Sequence, residues 1–187
     1  MTIDIHQVKI SVTDEYRIFI NEEEKYYASK KIISLFPHIT LVENGNEQTR
    51  LIIDKIPTWF SARYDIKLWD DTLLEYTTKS FWKSHYQCQA GNDLYDIYGH
   101  NDLKYSIYKN DKQVAWWTKN AVSLFKGDNY KIIADDNCNL ELLIAFCLIN
   151  DNKDSSGSDS TITFDLGNIG PQARKFNKEW QPNKSLS

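Results

Sequence analysis

Glycine is scarce in this chain of 187 residues: there are 7, beside 4 prolines, 3 cysteines and 1 methionine. No G-x-G-x-x-G or Walker-type loop occurs, so the sequence offers no backbone cradle for nucleotide phosphates. Cys88, Cys138 and Cys147 are an odd number with neither framework nor zinc spacing. They read as reduced thiols, which points to a cytoplasmic protein. His6, His38, His85 and His100 are dispersed, and without H-x-H or H-x3-H spacing they predict neither a metal site nor a cofactor. The start, "MTIDIHQVKISVTDEY", lacks the basic head and apolar run of a signal peptide. A bilayer span needs roughly 20 apolar residues, and the longest run here is less than half of that, so no transmembrane segment is expected. The formal net charge of -4 argues against a broadly basic nucleic-acid binder, because phosphate neutralisation needs clustered lysine and arginine.

What the chain does have is aromatic side chains, 13% of residues, with 11 tyrosines and 6 tryptophans. These types suit pleated, half-buried surfaces. Polar breaks recur at "NEEE" from Asn21, "NGNE" from Asn44, "DDT" from Asp70, "GND" from Gly91 and "KND" from Lys109. The runs between them alternate with period two: in "YDIKLW", Tyr64, Ile66 and Leu68 share one side while Asp65 and Lys67 share the other. Period two means strand, and Asn, Asp and Gly at the breaks supply the positive φ of tight hairpins. The spacing leaves room for ten to twelve strands between Ile3 and Ala134, and no helix of useful length fits before Asp135. That many antiparallel strands must split into a sandwich or close into a barrel to protect their edges.

The segment "NLELLIAFCLIND", Asn139 to Asp151, decides between them. Leu142 to Ile149 contain no polar residue, so a helix here would be apolar on every face and must be surrounded. A last core strand is the alternative, but Leu, Ala, Phe and Glu141 lean helical, and "DDNCN" before them offers N-cap candidates. The expected architecture is therefore all-β with one central helix, a closed antiparallel barrel of ten to twelve strands plugged by Leu140, Leu142, Leu143, Ile144, Phe146, Cys147 and Leu148. The barrel domain is expected over 1–151, with its helix at about 139–150. A polar linker follows over 152–160, then an extension over 161–187 with one strand at 161–166 and a tail in which Phe176 and Trp180 are anchor candidates.

A run of hairpins that ends in a strand, "NYKIIAD", an Asn-rich turn, "DNCN", and a hydrophobic helix, Leu140 to Ile149, resembles the tubby C-terminal-like superfamily. It is similar in particular to the LURP-one-related and bacterial members, with phospholipid scramblases as more distant ones. The resemblance covers roughly Tyr16 to Asp151 and implies a non-enzymatic module, a twelve-stranded closed antiparallel barrel threaded by its last helix. It also implies phosphoinositide headgroups as a ligand class, bound in tubby through a lysine and arginine cluster. No such motif is present here. The extension after Asp151 is a second departure, since the family commonly ends near that helix.

Candidate chemistry is sparse. Cys88 and His85 in "HYQCQ" are three apart, so on one strand they point to opposite faces and cannot act as nucleophile and base. Asp70 and Asp71 suit a hairpin turn, and Asp135 and Asp136 a helix start. "NKDSSGSDSTIT" partly matches a calcium loop through Asn152, Asp154 and Ser156 before Gly157, but Thr163 stands where a glutamate is needed. In "QVAWWTKN" alternation leaves at most one of Trp116 and Trp117 outside. Trp59 and Phe60 in "PTWFS", Trp82 in "SFWKS" and Trp117 form a candidate interaction rim. The leading reading is a binding or scaffolding module with a protein partner, acting through this rim and the tail. The alternative is peripheral binding of anionic lipid headgroups at the inner membrane, which needs Lys30, Lys31, Lys79 and Lys83 clustered at one barrel end. An enzyme ranks third.

Overall fold

The computed structural model describes residues 1–10, 13–33, 36–58, 62–80, 84–121, 128–155 and 172–184. Twelve strands and one helix follow in chain order. The first six are β1 (Thr2–Ile10), β2 (Thr13–Ile20), β3 (Glu23–Ile33), β4 (Phe36–Glu43), β5 (Thr49–Ile56) and β6 (Arg63–Leu68). The next six are β7 (Leu73–Ser80), β8 (His85–Ala90), β9 (Asp93–His100), β10 (Lys104–Lys109), β11 (Lys112–Ala121) and β12 (Asp128–Ala134). The helix α1 spans Leu140–Ser155. Every strand pairs antiparallel with its sequence neighbours, and β1 closes the barrel on β12, with Thr2 opposite Ile133 and His6 opposite Asn129. Closure leaves no strand edge open, the solution expected for this many hairpins.

The turns explain the register. Asn21 and Glu22 both take positive φ (48° and 74°), as do Asn110 and Asp111 (50° and 66°), the geometry of a two-residue hairpin whose twist matches its strands. Gly45 and Gly91 supply the same conformation, at 96° and 59°, without steric cost. Because strands alternate in direction, all five polar breaks found in the sequence fall at one end of the barrel, together with Met1 and the start of α1. We call this the proximal end and the opposite one the distal end.

The helix enters at the proximal end. Asn139 caps it, its side-chain oxygen accepting from the amide of Leu142 at 3.2 Å, and Arg50 on β5 donates to Glu141 in the first turn at 2.6 Å. Leu142 to Ile149 are buried on every side, touching inward residues from around the barrel such as Ile5, Tyr16, Ile66, Tyr76 and Trp117 in one continuous core. The Phe146 ring packs on Tyr76 at 5.7 Å and Tyr95 at 5.5 Å between centroids. Full burial of each large apolar side chain stabilises by about 1.5–3 kcal/mol, so the plug is the densest stabilising element of the chain.

The helix runs past the expected boundary, to Ser155, into the segment read as a linker. Asn150, Asp151 and Asn152 are themselves buried. Barrel tyrosines reach them: the Tyr16 hydroxyl donates to Asp151 Oδ2 at 2.6 Å, the Tyr130 hydroxyl donates to its other oxygen, and Asn150 donates to the Tyr76 oxygen at 2.8 Å. Polar composition marks a chain end in water, but it does not when polar partners stand inside the wall.

Candidate functional site

In a filled barrel the interior is occupied, so chemistry must come from an end or from the outer wall. On β9 to β11 the outer wall departs from ordinary alternation. Tyr98 and His100 on β9, Ser106 and Tyr108 on β10, and Trp116 on β11 point outward, opposite in parity to the inward Ile97, Ile107 and Trp117, and the bulge across from Ile107 and Tyr108 turns Gln113 outward beside Tyr108. Yet His100, Ser106, Tyr108 and Gln113 are buried. An outward residue on a closed barrel is buried only where something lies over it, and here that is residues 172–184 of the same chain.

This strap runs from the distal to the proximal end. Gln172 donates to Asn101 at 3.0 Å and meets the His100 Nδ1 at 3.3 Å. Arg174 lies over the Tyr108 ring, 3.9 Å from its centroid, and over Tyr98 at 5.5 Å, and donates to Asp111 at 2.9 Å. Phe176 sets its ring edge-on between His100 (5.2 Å) and Trp116 (5.6 Å), with the Lys104 ammonium over it at 5.7 Å. Trp180 donates its indole N–H to the Gln113 carbonyl at 3.1 Å. Asn183 ends the run: its amide donates to Asp135 Oδ1 at 2.6 Å, and its carbonyl accepts from the Asp136 amide at 3.2 Å. The wall beneath continues the aromatic row, because His85 on β8 stacks on Tyr98 at 4.5 Å and is held by Asp96 at 2.7 Å. His100, its Nε2 on Ser106 Oγ at 2.7 Å, is pushed by burial below the usual histidine range and stays neutral.

Two other places hold polar groups together. At the proximal end a cleft of about 340 Å³ is lined by Tyr95, Lys109, Lys112, Asp135, Cys138 and the strap's Asn183. At the distal mouth the buried Asp151 sits among Tyr16, Tyr130 and Lys119, the last also 3.0 Å from Asp128. Burial and the neighbouring Asp151 carboxylate push the Tyr16 and Tyr130 hydroxyls well above their usual range. Both remain donors, and the cluster pins the helix end to β1, β2, β11 and β12.

The residues expected to act from the sequence fare differently. Trp117 is not a rim residue: its register opposite Tyr105 and Ile132 turns it inward, where it is 1% exposed and stacks on Tyr105 at 4.6 Å. Its neighbour Trp116 is the outward one. Trp59, Phe60, Trp82 and Lys83 lie outside the described residues, as do Asp154, Ser156, Gly157 and Thr163 of the calcium-loop match in all but the helical backbone of Asp154, and the strand expected at 161–166. Lys30 is not available to a headgroup, because it faces the barrel mouth and donates to Asp14 at 2.9 Å. Lys31 and Lys79 are exposed near the distal end, but β4, β5 and β6 separate their strands. Cys88 is buried and His85 faces out, as the three-residue spacing requires. Burial pushes the Cys88 thiol up to about 12 and Cys138 to about 11.

The docking wall was missed, although a signal was present. "YDIYGH" and "YSIYK" carry aromatics on both parities, and a strand with large rings on both faces is covered on both. No known family matches the chain, and neither the curated proteins nor the solved structures contain a significant match.

Proposed function

We propose that this protein is a non-enzymatic binding module that engages other proteins through the outer wall of β9 to β11. The observation that carries this reading is the strap. The wall accepts an extended segment in side-chain sockets, with Arg174 on two tyrosines, Phe176 between His100 and Trp116, and Trp180 on a backbone carbonyl. Aromatic and arginine anchors of this kind dominate protein interfaces. The thiols are raised and buried or half-buried, and His85 is turned away from Cys88, so the nucleophile considered from the sequence has no base. A closed twelve-stranded barrel around a hydrophobic helix is in keeping with the tubby-like resemblance, which also favours a binding role.

The test is peptide display against the full chain carrying Phe176→Ala and Trp180→Ala, which weaken the strap's hold. Enriched peptides should shift the backbone resonances of Tyr98, Tyr108 and Trp116 when titrated in. No enrichment, or peptides that perturb another surface, would remove this reading.

Peripheral attachment to anionic lipid has one observation in its favour. The strands that flank Trp59, Phe60, Trp82 and Lys83 end at the barrel end where Lys31 and Lys79 stand exposed, and aromatics with lysines suit a membrane interface. Co-sedimentation with phosphatidylserine or phosphoinositide vesicles that disappears at physiological salt, against none with neutral vesicles, would support it. Equal recovery with neutral and anionic vesicles would not.

A further inference from the structure

Because the wall is already occupied, any partner must compete with the strap, and the strap records what the wall selects. Resting on the protein-binding reading above, we infer that the partner is an extended protein segment with an arginine, an aromatic ring two residues later and an indole four residues after that. It is the pattern of Arg174, Phe176 and Trp180, and it binds by displacing residues 172–184.

Three sockets set the pattern. The first is a pair of phenol rings set nearly perpendicular, Tyr108 and Tyr98, with centroids 5.6 Å apart, closed by Asp111. A planar guanidinium lies over the Tyr108 face, reaches the Tyr98 ring and still forks to the carboxylate, whereas an ammonium offers neither the flat surface nor the fork. The second lies between the rings of His100 and Trp116, with Lys104 above. It takes an aromatic ring, because a ring face attracts the Lys104 cation and ring edges pack against its neighbours. The third is the Gln113 carbonyl, which needs a donor on an apolar body, as the indole supplies. Among the described residues the buried Gln113 side-chain nitrogen meets no acceptor.

The strap is a built-in competitor. It is joined to Ser155 by residues 156–171, 16 in all, and a tether of that length holds a segment at an effective concentration on the order of 1 mM. If the strap sequence as a free peptide binds the open wall at about 100 µM, the tethered strap is docked roughly ten to one and weakens any competitor for the intact protein about tenfold. Partners of higher affinity, or presented at high local concentration, are selected for.

The probe is the synthetic peptide of residues 172–184, titrated into the full chain bearing Arg174→Ala, Phe176→Ala and Trp180→Ala. Binding with shifts at His100, Tyr108 and Trp116 is expected, about tenfold tighter than to the unsubstituted chain. The peptide carrying the same three alanines should not bind. If the triple variant fails to melt cooperatively, the single Phe176→Ala chain serves, with a smaller gain over the unsubstituted protein. Equal affinity for the unsubstituted chain and a folded variant, or no binding to that variant, overturns the inference. If display on the strap-weakened chain still yields wall-binding peptides lacking the arginine and aromatic pattern, the inference falls while the protein-binding reading stands. If it yields none, both fall.

Discussion

At the residue scale, two buried groups carry consequences out of proportion to their size. Asp151 accepts from Tyr16 and Tyr130 and lies 4.0 Å from the Lys119 ammonium. Asp151→Ala leaves two buried hydroxyls and a cation without their shared acceptor and should cost about 3 kcal/mol. Asp151→Asn, which still accepts from one tyrosine, should cost less, and denaturant unfolding measures both. His100 is the second. Burial holds it neutral, and it lies beside Lys104 on the barrel and Arg174 on the strap, with Gln172 and Ser106 at its ring nitrogens. A histidine whose docked pKa lies below its free value favours docking fully above the free value. That contribution is lost as pH falls from roughly 6.5 through the lower, docked pKa. Trp180 fluorescence should therefore report strap release on mild acidification, and His100→Gln should flatten that dependence.

At the scale of elements, the helix and the strap make opposite demands on their sequences. The helix is apolar all round because it has strands on every side, so its type and position were legible from Leu142 to Ile149 alone. Its C-terminal end was not, since Asn150 to Asn152 look like linker until Tyr16, Tyr76 and Tyr130 are known to face them. Truncation after Ser155 should leave a cooperatively melting barrel, less stable by roughly 2 kcal/mol for the lost aromatic burial and cation–π contacts. Truncation after Asp151 removes Asn152, whose amide donates to the Leu148 carbonyl at 2.6 Å, and should cost about 1 kcal/mol more. Thermal melts of the two, followed by circular dichroism, separate these values. If the shorter chain proves the more stable, the helix end is not part of the core.

For the whole molecule, the interior is accessible only through unfolding. Cys88 and Cys147 are buried and Cys138 half-buried, and burial raises all three thiols, Cys138 to about 11 and Cys88 to about 12. At pH 8 fewer than one thiol per chain should react with a disulfide reagent within minutes, and all three of the cysteines should do so in guanidinium. Rapid reaction of two or more in the native state would mean that the barrel opens. A range of ten to twelve strands, the hairpins and the plug could be read from the chain because each is written in local pattern: period two, positive-φ residues at tight turns, and an apolar run without a polar face. Only the proximal turns were visible as breaks: the distal connections "PTWFS" and "SFWKS" are as aromatic as the strands they join, while the polar "NDL" turn between β9 and β10 falls inside a run that otherwise reads as one strand. The side of the wall taken by Trp116 and Trp117, the commitment of Lys30 to Asp14, and the docking of Arg174 and Phe176 across strands far away in sequence were decided by tertiary structure alone. They depend on barrel closure and register, which bring together residues that no local pattern relates.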